Sequence, residues 1–593
     1  MANESSQIST TSSQALSNFL AWLASHNCPT PGLNLQWTPE RGVGVYAAQD
    51  LDLIDDAPVA RIPSDLLLGA SKVRALANGR SQPARRLRAC LDAIALDPEI
   101  VLDERLTIVV FLIWARFCEG GAEGNVDEGV EEGGDVIPAT FWQPYVKILP
   151  GSVTTPLFFP AAARVLLCGT GLDVAAGSKA RKLHGEHARL EAHLRLLEPP
   201  TETTTPPLVG LVELRWADGV YWSRVISFRS SASFADPAAP AATDADDCHL
   251  VPFVDFCNHS CSPRLRWHMP DAGGCIELRA VGDGPVAAGE EMFISYGAKP
   301  NAELLFMHGF VMPANANDYV AFPAPFLEAQ VEGDEEDGED EVEEEGATPA
   351  EREEREARRR RRGAALLAIK DKLTFLSALS LRPMVEIHAP RPNDPLLADD
   401  PSRGILDDSS LLVMFAAVLT AEDGFGRTDN GSAEVPEFGL GGEPIYPLTP
   451  DTFRRLVDAL PHREIVLLRV WSVLLELAGY RLYELASSEG PNTGDDGEGG
   501  DDGPEEAADG VDNPDATAKG ESSAKEAGPE SGADLEEKEE SPEVRQVRAF
   551  RKIQFNLLAA ASEELGSLQE SYAQLPVVVA YLNAASEVVD AVQ

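Results

Sequence analysis

At 593 residues the chain exceeds one ordinary domain, so two folded units with looser segments between them are expected. Hydrophobic residues make up 44%, enough for real cores, while 49 basic against 97 acidic residues leave a formal charge of -48. That imbalance argues against nonspecific nucleic-acid binding across the surface and suits a basic protein partner better. Eight cysteines without paired spacing argue against a disulfide framework. The opening MANESSQISTTSSQ lacks the basic and apolar regions of a signal peptide, and no apolar run is long enough to cross a bilayer. The expectation is a reducing compartment, cytoplasm or nucleus, without membrane contact.

Along the chain, SQALSNFLAWLASHN sets Leu16, Phe19, Leu20 and Leu23 on one helical face. GVGVYAAQDL and APVARIP read as short strands, rich in β-branched and aromatic residues and bounded by Gly, Pro and Asp. LTIVVFLIWARFCE is apolar nearly all round and reads as a buried helix. The tract at 119–135 has too little apolar surface to offset the entropy of ordering, and reads as a solvated insertion. VGLVELRWADGVYWSRVISF, GCIELRAVGDGPVAAGEEMFISYG and NDYVAF return to the strand pattern. Residues 332–362 are a second loose insertion. Within it, Arg358 to Arg362 are either a nuclear-import signal or a charged helix start paired with Glu351 to Glu356. After Arg362 the period is helical, with Thr449 and Pro450 an N-cap and first-turn pair, until an acidic tract from about Ser487 to Glu540 interrupts it.

VPFVDFCNHSCSP, 251–263, departs from this patterning: it is apolar up to Phe256, yet sets Asp255, Asn258 and His259 in one short turn. Downstream, ISYGAKPNAELLFMHGF carries Tyr296, His308 and Phe310; far upstream, ERGVGVYAAQDL carries Gly42 and Gly44, where missing side chains permit close backbone approach. Taken singly these pieces are ordinary turns and strand ends. In this order they resemble the SET-domain protein methyltransferases. FWQPYVKILP, 141–150, and the helical half narrow the likeness to the branch typified by the Rubisco large-subunit lysine methyltransferase. It spans roughly residues 15–325 and, more weakly, the helices beyond.

The resemblance implies an α+β fold: a mostly-β SET domain at 15–325 with a helical insertion at about 71–200, and a disordered acidic/basic linker at 326–362. An all-α substrate-binding domain follows at 363–486, interrupted by a disordered acidic insertion at 487–542 and completed by helices at 543–593. It also implies S-adenosylmethionine-dependent methylation of lysine on a nonhistone protein, a basic one such as a ribosomal protein, without direct nucleic-acid contact. Arg41, Gly42, Val43 and Gly44 would form the donor loop, Asn258 and His259 would contact the donor, and Tyr296 would be the catalytic phenol, also touching the donor. Phe310 would wall the channel or stack on adenine. Within WSRVISFRSSASF, 222–234, where the family has a Ser-Arg-aromatic pattern, Arg229 would supply the family's arginine, with Ser231 as an alternative occupant of that slot. Asp255 would be a substrate-side or structural acid, and His308 would face the substrate.

Lysine-specific relatives commonly carry tyrosine where this chain has His308, which keeps protein-histidine methylation open as an alternative, as is a catalytically inactive scaffold of the same fold. No metal is expected: Cys248, His249, Cys257, His259, Cys261, His268 and Cys275 lack paired C-x-x-C spacing, and no cysteine follows Tyr296.

Overall fold

The computed structural model describes residues 2–118, 137–198, 209–228, 247–270, 273–327, 349–390, 404–428, 436–487 and 540–583. Strand β1 (Leu33–Thr38) pairs antiparallel with β2 (Gly42–Ala47), and the Arg41 N–H closes the hairpin on Thr38 Oγ1 at 3.2 Å. The strands β3 (Leu51–Leu53), β4 (Pro58–Pro63), β5 (Ile226–Ser227), β6 (Cys248–His249), β7 (Leu265–His268), β8 (Cys275–Ala280) and β9 (Gly284–Val286) complete small antiparallel sheets: β3 with β9, β4 with β8 and β7, and β5 with β6.

Between β4 and β5 lie helices, among them Ala70–Ala77, Gln82–Leu96, Glu104–Ile113 and Leu172–Leu194. Asp103 caps Glu104–Ile113 by accepting from the Leu106 N–H at 2.7 Å, and every residue from Leu106 to Ile113 is buried, as its all-round apolar sequence requires. The opening helix Ala2–Ser25 drives Phe19 into the same core, 5.8 Å from the Phe256 ring and 6.2 Å from that of Tyr145.

Residues 211–224, read from their Trp, Tyr and Val content as strand, are instead the helix Leu211–Arg224. Its buried Leu214, Ala217 and Tyr221 recur at helical spacing, and Glu213 accepts from the Gly210 N–H at 2.7 Å at its start. A buried carboxylate also holds it: Asp218 pairs with Arg105 and with Lys179, each at 2.7 Å. Packing on both faces outweighs weak β-propensity.

The helical half has its own core and carries two small sheets besides its helices. Strand β10 (Tyr319–Pro323), read as the end of the β-rich half, pairs with β11 (Met384–His388), and its Val320 and Phe322 join this second core. Helices Asp408–Val418, Pro450–Asp458, Arg463–Ser487 and Pro542–Ala573 enclose it; Thr449 caps the second of these, accepting from the Thr452 N–H at 3.2 Å. Residues 349–362, expected within a disordered linker, form the first half of the helix Pro349–Ala378. The sequence places Glu354 and Glu356 four residues before Arg358 and Arg360, a spacing that favours helix. The tracts at 119–135 and 488–539 lie outside the described residues.

A third apolar cluster joins the halves: Phe159, Ala163, Leu167 and Leu172 from the insertion meet Leu305 and, from the last helix, Val547 and Phe550. Buried Arg551 fastens the joint, donating to the carbonyls of Leu166 at 2.8 Å, Cys168 at 2.6 Å and Leu485. Replacing Arg551 by Leu strips these carbonyls of their shared donor. It is expected to lower unfolding free energy by roughly 2–4 kcal/mol, read by urea denaturation. A change below about 1 kcal/mol would mean that water takes over the carbonyls.

Candidate active site

The segment 290–296 threads between β2 and the turn that begins at the short helix Val254–Phe256. On one side the Ala47 N–H donates to Glu290 O and the Met292 N–H to Val45 O, both at 2.8 Å; on the other, the Ile294 N–H donates to Asn258 O and the Ser260 N–H to Ile294 O, both at 3.0 Å. Three pieces widely separated in sequence are thereby fixed edge to edge.

Side chains from those pieces meet around Glu291. Its Oε1 accepts from Asn258 Nδ2 at 2.6 Å and its Oε2 pairs with Arg41 Nη1 at 2.9 Å. Glu291 is 10% exposed in its side chain against 55% for Arg41, whose guanidinium also lies 5.2 Å from the Phe293 ring centre. Gly44 closes the group: a Cβ there would stand 2.6 Å from Glu291 Oε1 and 3.1 Å from Asn258 Nδ2, so a larger residue would push those two side chains aside. Gly42 takes φ of +71° at the start of β2, and Val43 packs against the first core instead of entering the cluster.

Next to this group sits a cluster of rings. Tyr296 lies 5.1 Å from His259 and 4.7 Å from His308 between ring centres, with Phe310 6.3 Å from each histidine. The Tyr296 hydroxyl donates to Cys257 O at 2.9 Å, and burial pushes its pKa upward, so it stays a phenol. His259 Nδ1 accepts the Tyr296 backbone N–H at 3.0 Å, which puts the proton of the neutral ring on Nε2; burial lowers its pKa. His308 has the opposite tautomer, because Nδ1 meets the carbonyl of Ser223 at 3.2 Å and must donate. Burial, helped by Lys299, brings its pKa down to about 4. Gly309, at φ of +79°, lies so close to Thr154 that a Cβ would stand 2.3 Å from its carbonyl oxygen, which fixes where His308 and Phe310 emerge.

Asp255 lies behind the rings with no exposed side chain. Its Oδ2 accepts from the Tyr145 hydroxyl at 2.5 Å and lies 3.7 Å from Arg224 Nη1, which donates to Asp255 O at 2.6 Å. Burial raises the Asp255 pKa to about 6 against the pull of Arg224 and Tyr145. Arg224 also lies 4.6 Å from the centre of the Phe256 ring. Among the described residues, Arg224 Nε, Asp255 Oδ1 and His259 Nε2 are buried without a hydrogen-bond partner.

Residues 135–297 match the family model for the SET domain. The chain carries a SET domain. The chain is similar to the actin-histidine N-methyltransferase of Drosophila melanogaster, 28% identical over 30% of this chain and 34% of that protein. It is similar also to the ribosomal lysine N-methyltransferase set10 of Schizosaccharomyces pombe, 29% identical over 30% of this chain and 29% of that protein. To the human N-lysine methyltransferase SETD6 it is 26% identical over 30% of this chain and 35% of that protein. The chain thus spans about a third of the length of the curated relatives it matches. Among solved structures, the SET domain of LSMT bound to lysine and AdoHcy superposes with a TM-score of 0.51 at 15% identity, covering 95% of this chain and 93% of that one. At that identity the likeness concerns the fold.

In the folded chain, Arg41, Gly44 and Asn258 come together through Glu291, while His259, Tyr296, His308 and Phe310 form the ring cluster with Asp255 behind it. Arg229 and Ser231 lie outside the described residues. The arginine found at the cluster is Arg224, and the dipeptide Ser223-Arg224, inside the same stretch WSRVISFRSSASF that pointed to Arg229, was its signal. Glu291 and Tyr145 were missed altogether; both stand inside quoted motifs, EEMF and FWQPY, with nothing local to say what they would touch.

Between pH 6.5 and about 4 the unfolded chain takes up a proton at His308 that the folded chain refuses. His308 therefore favours unfolding progressively as pH falls through that window. The stability of the native chain minus that of a His308→Gln variant is expected to rise with pH from about 4 to 6.5, by on the order of 3 kcal/mol, in urea denaturation at stepped pH. Asp255 titrates in both proteins and cancels. A flat difference would mean that the ring titrates normally.

Proposed function

We propose that this chain is an S-adenosylmethionine-dependent protein methyltransferase that modifies a lysine of a basic, nonhistone protein. The carrying observation is the contiguity of two chemically distinct groups: a polar, charged group of Arg41, Gly44, Asn258 and Glu291, and a ring cluster around Tyr296, joined by the adjacent residues Cys257, Asn258 and His259. The SET-domain match and the methyltransferase names of the similar proteins support the reaction class.

The residues present fit such a donor. Gly44 keeps the edge of β2 free of side chain, and His259 Nε2 and Arg224 Nε are buried polar atoms without a protein partner among the described residues. S-adenosylmethionine supplies a methyl group on a positively charged sulfonium. Arg41, Asn258 and His259 would hold it. Tyr296 remains protonated, so its contribution is positional: its hydroxyl oxygen can receive an N–H of the target or weak C–H contacts from a polarised methyl. His308 is neutral at physiological pH, and its Nε2 lone pair adds a second acceptor near the phenol. An amine brought among these rings loses solvation for its charged form, so its pKa falls below the usual value of about 10.4 and its proton leaves to solvent without a dedicated base. The rings also exclude water from the line of attack.

One observation favours a second reading, methylation of histidine. His308 stands where lysine-directed relatives commonly have tyrosine, and a similar protein is named an actin-histidine N-methyltransferase. The choice is made by incubating the chain with donor labelled on the methyl group and a cell extract, then locating the label by mass spectrometry. Label on lysine is expected, with transfer reduced at least about a hundredfold in Tyr296→Phe. Label on histidine would replace the lysine reading, and no transfer together with no donor binding would favour an inactive scaffold.

A further inference from the structure

The donor-binding reading leaves one buried acid without a role. Glu291 is not itself among the residues that the resemblance assigns to the donor, yet it touches two that are. Its carboxylate is nearly enclosed and bridges Arg41 and Asn258, 250 and 33 residues away. A carboxylate in the charged state only accepts hydrogen bonds, so the edge of the Asn258 amide that faces it must be the NH₂ edge. The other edge, the carbonyl Oδ1, is then turned away from Glu291. An asparagine beside a neutral amide or water could adopt either orientation; beside this carboxylate it has one.

We infer that Glu291 is a positioning residue, which locks the Asn258 amide so that its carbonyl is presented to a positively charged N–H donor, namely the ammonium of the methyl donor's amino-acid arm. This rests on the donor-binding reading above. The backbone supports the assignment. Glu291 forms an isolated bridge with Tyr46, and the Met292 N–H is bonded to Val45 O at 2.8 Å, so the backbone that carries the carboxylate is fixed against β2. The contact also needs Gly44, since a Cβ there would stand 2.6 Å from Glu291 Oε1 and 3.1 Å from Asn258 Nδ2. Tyr46 feels the same charge: its hydroxyl pKa is raised by burial and then by Glu291. A charge-assisted bond of this kind is worth about twice a neutral one, enough to decide an amide's orientation. Arg41, more than half exposed, neutralises the outer oxygen and contributes less to the lock.

The lock predicts selectivity within a single ligand. S-adenosylhomocysteine carries the amino-acid arm; 5′-methylthioadenosine has the same nucleoside and thioether without it. In calorimetric titration of the full chain, Glu291→Gln is expected to weaken S-adenosylhomocysteine binding roughly tenfold or more while leaving 5′-methylthioadenosine within about twofold. The glutamine keeps the size and lets the Asn258 amide turn over. Should this variant not fold, as judged by its thermal transition, Glu291→Asp keeps the charge at shorter reach and is expected to show the same selectivity in smaller degree. Equal weakening of both ligands, or of neither, overturns the inference while leaving the donor site standing. Failure of the unaltered chain to bind either ligand overturns the donor-binding reading itself.

Discussion

The hydrogen bonds on both edges of residues 290–296 hold the whole site in register. Because successive side chains of an extended segment alternate, Met292 and Ile294 enter the core while Glu291 and Phe293 face the other way. That alternation delivers a carboxylate to Arg41 and Asn258 and then, at the segment's end, a phenol to His259. A shift of one residue would turn Glu291 into the apolar core and Met292 out of it, so the core itself specifies the register of the polar site. The bonds to β2 and to the turn after Phe256 are what convert distant stretches of chain into neighbours.

Behind this segment, buried acids act as fasteners. Asp255 ties the FWQPY motif, through Tyr145, to the helix Leu211–Arg224, through Arg224. Asp218 ties that same helix to Arg105 and Lys179 of the insertion. Each carboxylate is costly to bury and is tolerated because its partners are fixed by other packing. Burial leaves Tyr296, His259 and His308 uncharged, so the interior next to the phenol presents oriented lone pairs and N–H groups in place of net charge.

The helical half bears on the site through a short path. Leu305, inside the turn Leu304–His308, packs in the cluster that also holds Val547 and Phe550 of the final helix. His308 is three residues further on, and Gly309 is pressed against Thr154 of the insertion. The placement of His308 and Phe310 thus depends jointly on the insertion and the last helix. Arg551, capping three carbonyls from both halves, sets how those two parts meet.

What the sequence determined by itself was local. The 3.6-residue period put Phe19 and Leu23 inward, an all-round apolar run marked the buried helix Glu104–Ile113, and Thr449-Pro450 announced a helix start. The ordered motifs around Asn258, Tyr296 and Phe310 made the SET fold and most of the candidate site legible, because each motif carries its chemistry within a few residues. Tertiary structure decided the rest. It made a helix of residues 211–224 against their β-forming composition, and it assigned β10 to the second core. It also brought Arg224 and Tyr145 to Asp255, and Glu291 to Arg41 and Asn258. These last contacts turn on a charge meeting a partner 31 to 250 residues away, and a buried charge takes its meaning from that partner, which no local pattern names.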